Sequence, residues 1–406
     1  MPDRRPHDPE LAAAIRFARQ MSRRRFLVRG GVGLGGLVFA PSLLAACGDD
    51  GDGGGDASGG DGDKKLTFSN WDAYIDEDDN GNVDGAGTTI AEFEKATGID
   101  MTYRKDFNDN DEYFNKIYSP LLGKGKRIDA DITAPTYWMA ARIIGLGWTE
   151  ELPLDEIPNH KNLEDAYLDL KWDPGAKHHM PWQAGITGIA WNPAIVGGDL
   201  SSANDLFDPK LKGKVAMLTE WRDSVGLTMF GDGADPSEGD MDAMNAAMDK
   251  IEQAKSDGQI LKFTGNEYLR SLENGDIAAC VAWSGDIAQL DPELGIKFAI
   301  PAEGGMQWFD TMTIPKGARN RVAAARWMNY VYEPENAAKL TEWVQYVSPV
   351  KGVKEILTEA GGESAALAEN PLIFPDEETT GRLKVFAELD QDDEIAVQKR
   401  FNEISS

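Results

Sequence analysis

The chain has 406 residues, a formal net charge of −28, two cysteines and four histidines. That acidity argues against nucleic acid and anionic ligands and favours cations through long-range attraction, although it also serves plain solubility. Cys280 stands alone in the apolar run "AACVAW", so no disulfide is available to the folded part and the thiol is expected to be inert packing.

Residues 1–46 are set aside from the fold as an export signal. "MSRRRFLVRGG" opens a basic stretch, and residues 30–46 form a glycine-rich apolar run that is short for a membrane span. Ser22-Arg23-Arg24-Arg25-Phe26-Leu27 is similar to a twin-arginine export signal. Leu44-Ala45-Ala46-Cys47 is similar to a bacterial lipobox, with Cys47 as the lipidated residue. Residues 47–63 continue as a Gly/Asp/Ser tract that cannot bury a core and reads as a flexible tether. The expectation is a domain of the cell envelope, exported and anchored by lipid alone to the outer face of the cytoplasmic membrane. One acyl chain binds a bilayer only marginally, so more than one is expected on Cys47.

From Lys64 on, about 340 residues remain, enough for one large or two ordinary domains. In chain order, "KLTFSNW" reads as a strand, and "TIAEFEKATGI" as a helix with Ile90 and Phe93 on its apolar face and Gly98 as its stop. "DADITAP" is a strand ending at Pro135, and "TYWMAARIIGLGW" a helix closed by Gly145 or Gly147. "PWQAGITGIAWN" alternates as a strand does, and "KVAMLT", "IAACVAW", "IKFAIP" and "TMTIPK" are further strands. Helices fall between them at "MDAMNAAMDKIEQAKSDG", "RVAAARWMNYVY" and "PENAAKLTEWVQY". This alternation predicts an α/β protein with mostly parallel sheets. There is no internal repeat and no Gly-x-Gly-x-x-Gly phosphate loop, and no cofactor is expected.

Ligands of open α/β sheets sit beyond the carboxyl ends of the strands. Aromatic and acidic residues cluster at those ends. Trp71-Asp72-Ala73-Tyr74 follows the first strand, Pro135-Thr136-Tyr137-Trp138 follows "DADITA", and Glu220-Trp221-Arg222-Asp223 follows "KVAMLT". Trp283-Ser284-Gly285-Asp286 follows "AACVA", and Trp308-Phe309-Asp310 follows "PAEGGMQ". An isolated Trp is ordinarily a core anchor, and Trp148, Trp172, Trp327 and Trp343 are assigned to that role. A strand-end carboxylate is ordinarily a helix N-cap, which would account for Asp72 or Asp286. Recurrence of the pair at five separate strand ends points instead to a ligand. A ring face attracts an ammonium by ~0.5–2 kcal/mol. Ring walls also shelter methylenes at ~0.8 kcal/mol each, and a charge-assisted bond to a carboxylate is stronger than a neutral one. An alkyl chain with amines at both ends uses all of these interactions.

Those residues carry a family resemblance. "FSNWDAY", "FEKATGI", "DADITAPTYWMAARI", "DLFDPKLKGKVAMLTEWRDSVGL", "NGDIAACVAWSGD" and "PAEGGMQWFDTMTIPKGARN" occur in order from about Lys64 to the C-terminus. Together they resemble the spermidine/putrescine-binding proteins of ABC importers. The resemblance implies a two-lobed α/β fold of the periplasmic-binding-protein type II, with lobes joined by crossing strands and a polyamine enclosed between them. It also implies a protein, expected to act as a monomer, that delivers its ligand to an ABC permease and its ATPase. The lobes expected are 64–184 plus 309–346, and 185–308 plus 347–406. Carried over, the polyamine-binding positions are Trp71, Asp72, Tyr74, Tyr137, Glu220, Asp223, Trp283, Asp286, Trp308, Asp310 and Tyr346. Pro135 stands where the family commonly has a serine, and Trp221 interrupts the acidic pair. Gly185 and Gly188 within a strand pattern mark close backbone approach or bending at a crossing, with "PAEGGMQ" and "YVSPVKG" as the other candidate crossings.

Other chemistry has weaker footing. Asp76, Asp78, Asn80, Gly81 and Asp84 match the start of a calcium loop, but its twelfth position is Gly87 where the bidentate Glu belongs. A solvated acidic loop is the plainer account. His178 and His179 are adjacent and face opposite sides of a strand, so no metal site is expected there. No Gly-x-Ser-x-Gly elbow is present. Carboxylates in an aromatic groove would also suit a receptor for another solute such as a sugar, or a glycoside hydrolase. Catalysis is not expected, because a receptor accounts for tether, lobes and lining together.

Overall fold

The computed structural model describes residues 64–406 other than 169 and 291, so the expected export signal, lipidation at Cys47 and tether lie outside the described residues. The strands are β1 (Lys65–Trp71), β2 (Asp100–Phe107), β3 (Ile132–Thr133), β4 (His179–Trp191), β5 (Val215–Leu218), β6 (Ile260–Thr264), β7 (Ala279–Trp283), β8 (Lys297–Ala299), β9 (Gly305–Thr313) and β10 (Leu383–Lys384). They join in the order β2-β1-β3-β9-β4-β7-β5-β6, with β10 beside β9 and β8 beside β4. β1 runs parallel to β2 and β3, and β5 runs parallel to β6 and β7. The two parallel halves meet through β4 and β9, which are antiparallel to each other and to β7 and β3 respectively. A strand shared by both halves has no solvent face, and every residue of β4 is buried.

Each half has its own hydrophobic core. The first gathers Phe68, Phe93, Ile132, Met139, Trp182 and Trp327, and the second Ile189, Val215, Leu227, Met248, Tyr268 and Phe401. Two cores linked by crossing strands make the two-lobed α/β architecture of the type II binding proteins. The expected lobe limits need one correction. Val350, Val353, Leu357 and Ala368 pack in the first core, not the second, while Phe386, Val397 and Phe401 join the second. The reason is local: Val347 pairs with Ala184 by 2.8 Å bonds in both directions, which returns the chain to the first half of β4. Helix Val353–Ala360 then packs on helix Pro334–Val344.

Local signals acted as expected where they were strong. Thr88 caps helix Thr89–Thr97 by accepting from the Ala91 N–H, and Gly98, at φ 71°, closes it with its N–H on Glu94 O. The weaker signals misled. β2 and β6 were not expected, and "DADITAP" contracts to a two-residue strand. Trp308 and Asp310 lie inside β9 and not beyond a strand end. Two positions apart, they share one face of that strand.

Candidate ligand-binding cleft

A cleft of ≈ 700 Å³ opens between the two cores, and all eleven expected ligand positions line it. β9 supplies Met306, Gln307, Trp308 and Asp310 to its lining, and the strand-end turns of both halves supply most of the rest. Three buried carboxylates organise its interior. Asp310 accepts from the Tyr74 hydroxyl at 2.8 Å and from the Thr136 hydroxyl at 2.7 Å. Asp223 accepts from the Thr187 hydroxyl and the Trp283 indole N–H, both at 2.8 Å. Asp286 accepts from the hydroxyls of Tyr268 and Tyr346 at 2.8 Å and from the Asn266 amide at 2.9 Å.

All these donors are neutral. Among the described residues none of the three carboxylates forms an ion pair. Burial therefore dominates their titration: it pushes Asp310 up to about 7, and Asp223 and Asp286 up to about 6, against the pull of their donors. Burial, with the nearby carboxylates, raises the Tyr74 and Tyr346 phenols as well, so both remain donors at neutral pH. A carboxylate has about four lone-pair directions, and these groups use two or three each. Each therefore keeps acceptor capacity beyond its protein donors, and all three line the cleft.

The rings form a connected wall. Tyr74 meets Tyr346 edge-on at 5.0 Å, Tyr346 meets Trp308 at 5.7 Å, Trp308 meets Trp283 at 6.2 Å, and Trp283 meets Trp71 at 6.3 Å. Their polar atoms are tied down behind the wall: Trp308 donates to the Thr187 hydroxyl at 2.9 Å, and Trp71 to Ala134 O at 2.8 Å. Glycines make room for the rings. A Cβ at Gly185 would lie 2.5 Å from the Trp308 indole, and one at Gly285 would lie 2.4 Å from the Tyr346 ring. Gly185 therefore marks close approach, one of the two meanings its strand position allowed. Tyr137 stacks on Phe309 at 5.1 Å.

Two expected acids line the cleft but are already engaged. Asp72 is 47% exposed and pairs with Lys105 at 2.9 Å. Glu220 caps helix Trp221–Gly231 by accepting from the Arg222 N–H, and also meets the Arg222 guanidinium at 3.4 Å. The N-cap explanation thus holds for Glu220. It does not hold for Asp286, which lies within helix Ser284–Ala288 and serves no cap.

Of the residues assigned to plain packing, Trp327 is fully buried, while Trp148, Trp172 and Trp343 pack at the edge of the first core. Cys280 is buried in the second core and burial raises its thiol. In the acidic loop, Asp76 accepts from the Thr89 N–H and faces Lys339 at 3.6 Å, while Asp78 folds back onto the Asn80 and Asn82 N–H groups. Asp76 Oδ2 and Asp78 thus accept from protein donors. Among the described residues no group of three or more His, Cys, Asp or Glu could hold a metal ion. His179 is held within the protein: its ring nitrogens lie 2.7 Å from Asp173 and 2.9 Å from Tyr167 O.

Sequence reasoning missed Asn110, Thr136, Thr187, Asn266 and Tyr268 as parts of the site, and gave Arg222 no role. Asn266 and Tyr268 follow β6, and Asp109 and Asn110 follow β2, so finding those two strands would have exposed them under the same strand-end rule.

A two-lobed fold with a ring-and-carboxylate cleft between its halves defines a solute receptor. The family model for bacterial extracellular solute-binding proteins matches residues 88–375, and the chain belongs to that family. It is 28% identical to the putrescine-binding periplasmic protein PotF of Escherichia coli, over 82% of this chain and 88% of that one. It is also 28% identical to the putrescine-binding periplasmic protein SpuD of Pseudomonas aeruginosa, over 84% and 92%. The crystal structure of the spermidine/putrescine ABC transporter substrate-binding protein PotD of Streptococcus pneumoniae superposes with a TM-score of 0.66 at 25% identity, covering 84% of this chain and 98% of that one. Among the described residues no helix is long and apolar enough to cross a membrane.

Proposed function

We propose that this chain captures a short polyamine between its lobes and presents it to an ABC permease and its ATPase. The observation that carries this reading is the set of three buried carboxylates, Asp223, Asp286 and Asp310, each held by neutral donors inside an aromatic wall. A protein gains nothing from burying unpaired acids unless a cation arrives to use them. Ammonium groups satisfy the free acceptors, and the methylenes between them lie against Trp283, Trp308 and Tyr74. Relatives named for putrescine and spermidine binding support the same ligand class. A sugar would need hydroxyl donors to meet the same acids and would leave their charge uncompensated. The protein binds and releases without chemistry.

The two cores correspond in this reading to the two lobes, the first taking in residues up to the start of β4 and again those around 309–374. β4 and β9 serve as the hinge. Twin-arginine export, lipidation of Cys47 and a monomeric state complete the proposal, placing the receptor on the outer face of the cytoplasmic membrane. Calorimetry with putrescine, spermidine and maltose tests the ligand. Micromolar or tighter diamine binding, about −8 kcal/mol or better, with none for maltose, is expected. Maltose binding, or silence with every amine, would refute it. Mass spectrometry of the membrane-extracted protein tests Cys47, where an unmodified thiol removes the anchor.

A further inference from the structure

We infer that Arg222 is a resident cation that occupies one end of the cleft and restricts the ligand to a diamine. The inference rests on the polyamine reading above and refines it. The Arg222 guanidinium lies 3.7 Å from the centroid of the Trp138 ring and 4.3 Å from that of Trp221. It pairs with Glu394 at 3.0 Å and with Glu220 at 3.4 Å. A ring face with flanking carboxylates is what the rest of the cleft offers to a ligand ammonium. At this end the protein fills that arrangement with its own side chain, whose exposure is only 8%.

The order of groups along the cleft follows from contacts already described. Asp286 touches Tyr346, Tyr346 touches Tyr74, and Tyr74 bonds Asp310. Trp283 bonds Asp223, and the Arg222 guanidinium is near enough to pull against the burial that raises that carboxyl. A ligand charge carried past Asp223 toward Trp138 meets the Arg222 guanidinium. A triamine that extends its third charge to this end sets it against that guanidinium. Two costs arise there. Like charges repel at short range in a dry site, and Glu220 and Glu394 are already committed to the resident cation. The guanidinium is also fixed in place: Trp138 belongs to the first core and Trp221 to the second, so Arg222 stacks between residues of both. It cannot step aside without opening that contact.

The test is calorimetry of the full soluble chain with putrescine and with spermidine at one ionic strength, for the wild type and for Arg222→Gln, Arg222→Lys and Glu394→Gln. The wild type is expected to bind putrescine more tightly than spermidine. Arg222→Gln should raise the spermidine-to-putrescine affinity ratio by about tenfold or more, the effect of removing one like-charge contact in a desolvated site. Arg222→Lys keeps the charge and should keep the diamine preference. Glu394→Gln strips a counter-charge from Arg222 without touching the cleft lining and should deepen the preference. A folded Arg222→Gln with an unchanged ratio overturns the inference and leaves the polyamine reading intact. A wild type that binds neither amine overturns both. If Arg222→Gln does not fold, the lysine and Glu394 variants still decide: loss of preference in Arg222→Lys, or no deepening in Glu394→Gln, counts against the resident cation.

Discussion

The cleft contains two kinds of carboxylate. Asp223, Asp286 and Asp310 are buried and held by hydroxyl, indole and amide donors. Asp72 and Glu220 line the same space but face Lys105 and Arg222. Both kinds read alike in the sequence, as an acid beside an aromatic residue at a strand end. The difference is electrostatic. An acid with a resident cation has its charge answered inside the protein. An acid supported only by neutral donors is oriented but has no ion-pair partner; titration does not separate the two kinds, because burial raises Glu220 well above its ordinary range too. In the proposed function the first kind shapes the cleft and the second meets the ligand.

The largest effect that would break this comparison comes from the uncompensated group. Asp310→Asn should leave the fold intact and weaken putrescine binding by ~2–4 kcal/mol, the scale for losing one partner of a desolvated charge pair. Calorimetry that returns wild-type affinity would place the ligand elsewhere. Removing a wall panel comes next. Trp283→Ala should cost about 2 kcal/mol in binding, since the indole supplies both ring contact and the N–H that steadies Asp223.

The pH dependence of binding sharpens the contrast further. Binding an ammonium holds these acids ionised, so affinity should fall about tenfold or more as pH drops from 8 to 5.5, through the raised values near 7 and 6. Protons should be released on binding near pH 6.5, which calorimetry in buffers of different ionisation heat would detect. A flat affinity profile would contradict the assignment. The ligand-free protein should respond in the opposite sense. A carboxyl raised in the folded state stabilises fully below its ordinary 3.8 and loses that contribution as pH rises through its folded value. Melting of the empty protein should therefore favour Asp310→Asn over wild type increasingly from pH 5 to pH 8. Saturating putrescine should reverse that order. The smallest effect belongs to the compensated acid: Asp72→Asn, at a half-exposed ion pair, should change binding by ~0–1 kcal/mol.

Legibility of the fold followed burial. Central strands such as β5 and β7 show as apolar runs because both their faces are covered. β2 and β6 stand at the two ends of the sheet order, where an edge strand can carry "DMTYRKDF" with most of its residues partly or fully exposed. Their apolar periodicity is diluted by solvent-facing charge, and so they escaped notice. With them went Asp109, Asn110, Asn266 and Tyr268. The tail from Val350 to Ala368 was misplaced for a different reason: its amphipathic helices announce an apolar face but not which core receives it.

By itself, the sequence determined the class of molecule and many of the rings and acids that line its cleft, because strand ends, ring-and-acid pairs and helix caps are local patterns with local physical causes. Only the tertiary structure decided which acids meet an internal cation. Lys105 reaches Asp72 from another strand, and Glu394 reaches Arg222 from the distant C-terminal helix. Glu220 and Arg222 stand two apart in sequence, but the pairs Lys105–Asp72 and Glu394–Arg222 depend on distance in space, which no local spacing encodes.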